Sequence, residues 1–198
     1  MNFMKISLLT PLTLILLCTL SLSSCVPLVA TGIGVGAGTG ALMSEDRRST
    51  GIFIEDESIE LKTSRRITQQ LGGIVHINVT SFNRNVLLTG EVPNETTKSE
   101  IEKLALSIDN VRKVFNEVTI AENSALSSRT NDSIITSKVK GRFVNERKFR
   151  ANYVKVVTEN SVVYLLGLVT REEGEDASQI ASTTSGVTRV VKVFEYLN

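Results

Sequence analysis

The sequence predicts an α+β protein made of two tandem copies of one small unit, carried behind an N-terminal signal segment and a glycine-rich tether. Two observations predict it. Short apolar runs ending in glycine recur at a constant offset. Each pair of runs is then followed by a helix-period segment and a third apolar run. The first copy reads Ile77-Asn78-Val79-Thr80, then Val86-Leu87-Leu88-Thr89-Gly90. The second reads Val154-Lys155-Val156-Val157, then Val163-Tyr164-Leu165-Leu166-Gly167. Beyond the glycines the copies slip by one residue, and Asp109-Asn110-Val111-Arg112-Lys113-Val114 then matches Ser185-Gly186-Val187-Thr188-Arg189-Val190.

Each copy gives the same element order: helix, strand, strand, helix, strand. The first helix is expected over 58–71 in copy one and over 133–144 in copy two, with Asn131 or Asp132 as a cap for the latter. Polar turns at Asn83-Arg84-Asn85 and Glu159-Asn160-Ser161 separate the two strands. The second helix is expected over 95–108, where Ile101, Leu104, Ala105 and Ile108 share a face. Its counterpart is expected over 171–184, and Thr170 and Glu173 before it have the spacing of a capping box. Closing strands are expected over 114–120 and 190–197. Two amphipathic helices packed on one face of a three-stranded mixed sheet make a two-layer core. Gly90 and Gly167 read as strand-end or turn glycines.

The N-terminus has a different character. Lys5 supplies a small positive region, residues 6–20 are almost wholly apolar, and small residues precede Cys25. That is the pattern of a secretory signal rather than of a spanning helix. Cleavage elsewhere, or an uncleaved anchor, are the other readings of this segment. Leu22-Ser23-Ser24-Cys25 resembles a bacterial lipobox. The resemblance implies lipidation of Cys25, and several acyl chains make a lasting anchor where one is marginal. Val26 stands where an Asp would suggest inner-membrane retention, so the outer membrane, on its periplasmic side, is the expected location. The expected organisation is a signal peptide over 1–24, a lipidated N-terminus and tether over 25–54, a first domain over 55–122, a linker over 123–130 and a second domain over 131–198. Glycines alternate with small residues through 32–40, without the Gly-Lys-Ser/Thr ending of a phosphate loop or the Gly-x-Gly-x-x-Gly spacing.

Composition removes several function classes. The formal net charge is +1, which gives no bulk attraction to nucleic acid. The chain has one His, and of its two Cys only Cys25 remains once the expected signal peptide is removed, which excludes zinc sites built on paired His or Cys ligands. Ser-His-Asp chemistry would need His76, which reads as an ordinary surface or edge residue at a strand start. Glu172-Glu173 and Glu175-Asp176 fall in the first turn of a predicted helix, where the dipole favours negative charge. No catalytic constellation, metal site or cofactor site is expected, and the chain reads as a non-enzyme.

The apolar strand ending in glycine, the intervening helix and the Gly/Asn-Val-x-x-Val segment resemble the BON domain. Two such units behind a lipobox resemble the dual BON-domain outer-membrane lipoproteins of the DolP (YraP) family, over nearly the whole chain. Particularly close are Ile77-Asn78-Val79-Thr80, Val156-Val157-Thr158-Glu159-Asn160 and Gly167-Leu168-Val169-Thr170. The resemblance implies an outer-membrane lipoprotein that binds anionic phospholipid, such as phosphatidylglycerol or cardiolipin, through its second domain and supports envelope integrity. It also implies an alternative: a protein-interaction module acting on the outer-membrane protein assembly machinery, with incidental lipid contact.

The charge distribution bears on that choice. Lys138, Lys140, Arg142, Arg147, Lys148 and Arg150 are opposed only by Glu146, whereas copy one begins with Glu55, Asp56, Glu57 and Glu60. Ile135, Val139 and Phe143 fall at four-residue steps and should face the core. Ile134, Lys138 and Arg142 fall on the neighbouring stripe, an apolar tip beside two cations. Such a face is either solvated or rests in headgroups, and the resemblance favours the latter. The expected phospholipid-binding residues are Ile134, Lys138, Lys140, Gly141, Arg142, Arg147 and Lys148. Relatives often carry a large aromatic near the start of this helix, where this chain has Ile134, which lacks an aromatic's interfacial preference.

Overall fold

The computed structural model describes residues 46–72, 75–122 and 126–197. The signal segment, Cys25 and the glycine run lie outside the described residues. In the first repeat, α1 (Thr50–Leu71) is followed by the strands β1 (His76–Phe82) and β2 (Asn85–Val92), the helix α2 (Glu95–Leu106) and the strands β3 (Lys113–Asn116) and β4 (Thr119–Ile120). The second repeat has α3 (Leu126–Glu146), β5 (Val154–Glu159), β6 (Val162–Val169), α4 (Arg171–Ser182) and β7 (Arg189–Tyr196). In each sheet the hairpin is antiparallel, and the closing strand pairs in parallel with its second strand. This is the expected α+β pair of mixed sheets.

Both leading helices start earlier than the pattern suggests. α1 begins after Ser49, whose hydroxyl accepts from the Ile52 amide. α3 starts at Leu126, so Asn131 and Asp132 lie inside it and cap nothing. Asp132 is buried and its carboxylate accepts from the amides of Asn160 (2.9 Å) and Ser161 (2.8 Å). Asp56 does the same in the first repeat, accepting from Asn83 (2.8 Å) and Arg84 (2.7 Å). These four residues are the centres of two hairpin turns, all at positive φ between 49° and 64°. Positive φ at both central residues defines a type I′ turn, which normally favours Asn and Gly. Arg84 and Ser161 tolerate it here because a helix carboxylate collects the two turn amides. The capping box forms as expected: Glu173 N donates to Thr170 Oγ1 (3.2 Å), and Thr170 N donates to Glu173 Oε2 (2.8 Å).

Two expectations need correction. Gly90 and Gly167 are not at strand ends but inside β2 and β6, paired with Ile77 and Val154. A Cβ on Gly90 would lie 2.0 Å from the His76 carbonyl oxygen, and one on Gly167 would lie 2.5 Å from that of Tyr153. Both glycines therefore permit a close backbone approach at the start of the neighbouring strand. The closing strand of the first repeat is also broken. Asn116 turns its side-chain amide to Lys98 O and Glu102 (both 3.0 Å), and the following Val118 is buried in the core.

The layers extend beyond each repeat. The helices cover one face of each sheet, as expected. Val86, Leu88 and Val92 pack with Ile59, Ile67, Ile101 and Ala105. Val163, Leu165 and Val169 pack with Ile135, Val139, Phe143 and Ile180. The opposite faces are also buried, against each other. Phe82 and Leu87 of the first repeat form one cluster with Tyr164, Leu166 and Val193 of the second. The body is thus helix, sheet, sheet, helix. Polar bonds edge this seam: Asn78 Nδ2 to Glu159 (2.7 Å), Asn160 Nδ2 to Glu91 (2.7 Å) and Lys155 Nζ to Glu60 (2.7 Å). Burial pushes the Tyr164 phenol up to about 12, with Glu117 adding to the effect.

Asp132→Ala is expected to lower unfolding stability by about 3 kcal/mol, because two buried turn amides lose a charged acceptor at positive φ. Denaturant titration checks this, and Asp132→Asn should recover part of the loss.

Candidate functional site

The candidate site is the outward face of α3 and the cleft at its C-terminal end. Ile135, Val139 and Phe143 are buried at 1%, 0% and 1% exposure, so the helix is fixed by its inner stripe. On the far side lie Ile134 and Val144, which are 50% and 60% exposed. They stand about 15 Å apart along the axis. Between them are Ser137 and Gly141, flanked by the exposed Lys138 and Lys140. The face is therefore apolar at both ends and cationic at its margins.

Gly141 is the unusual member of this face. Nothing lies within 4 Å of where its Cβ would be, so no neighbour in the fold demands glycine there. Mid-helix glycine costs about 1 kcal/mol relative to alanine. Gly174 in α4 makes the contrast, since a Cβ there would press on the rings of Tyr196 (3.1 Å) and Phe194 (3.3 Å).

The predicted site residues divide into two groups. Ile134, Lys138, Lys140, Gly141 and Arg147 are exposed, and none of these three cations forms an ion pair within the described residues. Arg142 lies elsewhere: its position on the helix turns it toward α4. There Nη1 donates to Ile180 O (2.8 Å), Thr183 Oγ1 (2.9 Å) and Thr184 Oγ1 (3.1 Å), while Nη2 pairs with Glu146 (2.6 Å). It closes the C-terminal carbonyl end of α4, a place that favours a cation. Lys148 pairs with Asp176 at 2.9 Å, and that hydrogen bond raises its pKa. Cys25 lies outside the described residues.

Sequence reasoning missed Val144 and the arginines of the tether's end. A cleft of about 770 Å³ opens at the end of α3, lined by Phe143, Val144, Arg147, Arg150, Tyr153 and Arg47. The Arg47 guanidinium lies 3.7 Å over the Tyr153 ring and makes a two-pronged pair with Glu173 (2.7 and 2.8 Å). That bond to Arg47 holds the Glu173 carboxyl below the usual carboxylate range. The only signal in the sequence was a pair of adjacent arginines at the end of a segment read as tether.

Two further carboxylates of α4 form ion pairs. Glu175 pairs with Lys192 and Asp176 with Lys148. His76 opens the edge strand β1, as expected, and is half-buried at the seam, with Nδ1 2.9 Å from Glu91. His76, Glu91 and Glu159 bring ligand-type atoms within 4.8 Å of one another. Glu91 is bonded by Asn160, and Glu159 by Asn78 and Thr89. These bonds account for the cluster as part of the polar seam.

This geometry defines a tandem α+β protein with one cationic, apolar-tipped helix and no assembled catalytic group among the described residues. Residues 55–122 and 131–198 each match the BON domain model. The chain is 37% identical over 197 residues to the outer membrane lipoprotein DolP of Haemophilus influenzae, covering 98% of this chain and 100% of that protein. It is 30% identical over 154 residues to a 21 kDa hemolysin of Actinobacillus pleuropneumoniae, covering 77% of this chain and 79% of that one. Among solved structures, the C-terminal domain of CdsD, a structural protein of the Chlamydia trachomatis type III secretion system, gives a TM-score of 0.30. It is 15% identical and covers 70% of this chain and 96% of that chain. The chain belongs to the DolP family of BON-domain proteins.

The lowered Glu173 carboxyl makes a pH prediction. A carboxyl depressed in the folded state adds stability above its unfolded pKa and loses it as pH falls through the folded value. Glu173→Gln should therefore melt below the wild type at neutral pH and converge with it in acid. Melting curves across that range check this, and a constant gap would contradict it.

Proposed function

We propose that this outer-membrane lipoprotein of the BON family reads anionic phospholipid with the outward face of its second domain. The observation that carries the reading is the α3 face: exposed Ile134 and Val144, Lys138 and Lys140 unpaired among the described residues on either margin, and the open Gly141 between them. Cations near a charged bilayer surface contribute about 1 kcal/mol each, and apolar tips insert shallowly. Gly141 leaves room for a headgroup against the helix backbone. Arg147 and the cleft extend the positive field at the helix end. Arg142 and Lys148 act indirectly: one fixes α3 to α4 and the other pairs with Asp176.

Nothing in the reading requires catalysis. The family resemblance also implies envelope integrity as the role served, with phosphatidylglycerol and cardiolipin as the natural headgroups. A protein partner such as the outer-membrane protein assembly machinery is the second reading. It is favoured by the exposed Ile54 and Leu61 of α1, seven residues apart on a face away from the α3 cations.

The test is co-sedimentation of residues 26–198 with phosphatidylglycerol, cardiolipin or purely zwitterionic vesicles at low and high salt. Binding should be selective for the anionic vesicles and weaken with salt. Lys138→Gln with Lys140→Gln should lower affinity roughly thirtyfold, from about 1 kcal/mol per cation. Gly141→Ala should weaken binding while raising the melting temperature, since the helix gains about 1 kcal/mol. Equal binding to zwitterionic vesicles, or none, would sink the lipid reading and direct the search to the α1 face.

A further inference from the structure

We propose that Asp46-Arg47-Arg48 is a clasp that docks the end of the tether across both domains and fixes where the tether leaves the body. The two arginines are adjacent in sequence but bind different repeats. Arg47 belongs to the second: besides its two-pronged pair with Glu173 and its stacking on Tyr153, Nη1 donates to Leu168 O (2.9 Å). Arg48 belongs to the first: Nη1 donates to Asp56 (2.8 Å), and the guanidinium lies 4.0 Å over Phe82, a member of the seam cluster.

The segment is also organised within itself. Asp46 accepts from the Arg48 backbone amide (2.9 Å), from Nε and from Nη2 (2.7 Å). Arg48 is only 6% exposed along its side chain. Burial opposes its charge, but Asp46 and Asp56 outweigh that and raise its pKa. A guanidinium this deeply enclosed is part of the body, not of a flexible linker. The repeats differ here in an informative way. Both use a helix aspartate to hold the hairpin turn, but only Asp56 receives a guanidinium from the tether; among the described residues Asp132 has none. The clasp is thus an addition to the duplicated unit, made by the segment that joins the body to the anchor.

Its position has a consequence. Arg47 lines the same cleft as Arg147, Arg150 and Val144. The chain therefore enters the body beside the basic end of α3. Held there, the clasp orients one wall of the cleft at the cationic end of α3, the face that the lipid reading uses. This last step rests on the lipid reading above; the clasp itself does not.

Hydrogen exchange of the intact chain tests it, comparing wild type with Arg47→Ala/Arg48→Ala and with Arg47→Lys. In wild type, 46–49 should be protected. In the double variant these amides and the first turn of α4 should exchange about tenfold faster, the effect of losing charged hydrogen bonds. Arg47→Lys keeps the charge but loses the planar fork, so it should accelerate the α4 turn and leave the Asp56 side unchanged. It also serves if the double variant fails to fold. Free-peptide exchange over 46–49 in wild type, or variants indistinguishable from it, would overturn the clasp. A parallel arm with phosphatidylglycerol vesicles separates the two claims. Protection of α3 that survives in the double variant at unchanged strength would overturn the orienting role. Absence of α3 protection in wild type would count against the lipid reading and against orientation, while the clasp would still be decided in buffer.

Discussion

The rest of the structure depends on the burial of one sheet face against the other. Phe82 and Leu87 meet Tyr164, Leu166 and Val193 in a cluster that neither repeat could shield alone. Each such side chain is worth about 1.5–3 kcal/mol when removed from water. Splitting the repeats would expose a continuous apolar surface on both. Once the sheets are joined back to back, only the helices can face outward. That is why α3 presents Ile134, Lys138, Gly141 and Val144 to solvent while its inner stripe is locked to the second core.

The polar groups around the seam follow from the same constraint. Glu91, Glu159 and Glu60 would be costly to bury alone, so each meets an amide, a hydroxyl or an ammonium from the other repeat. The trio around His76 belongs to this edge. The clasp is its continuation on one side, where the tether contributes an arginine to each half. The two domains, the seam and the tether's end are therefore a single mechanical object, and the function proposed for α3 is presented by that object rather than by an independent module.

The element order, the repeat and the capping box were legible because each is a local signal: glycine-ended apolar runs, 3.6-residue spacing, and Thr170 three residues before Glu173. The inner stripe of α3 was legible for the same reason. The broken closing strand was not, because it turns on Asn116 reaching across to α2. The place of Gly90 and Gly167 is not legible because a strand-end glycine and one that admits a neighbouring carbonyl look alike in sequence. Asn131 or Asp132 fits a cap because a polar residue before an apolar stripe is ambiguous; the partners of Asp132 lie 28 and 29 residues away. The second buried face did leave a trace. Val162 to Leu166 and Val86 to Leu88 are unbroken apolar runs, where a sheet covered on one side should alternate. For the site, the cations are visible in sequence, but which of them face solvent is not, since Arg142 is claimed by the Ile180 carbonyl and two threonine hydroxyls at the end of a helix far along the chain.

The measurement that tests the account most directly is calorimetric unfolding of the intact chain. If the sheet-to-sheet seam makes the repeats one body, residues 46–197 unfold in a single transition, with equal van't Hoff and calorimetric enthalpies. Substituting Leu87 by Ala should lower that transition as a whole. Two resolved transitions, with Leu87→Ala moving only one of them, would contradict the account and make the BON domains independent units.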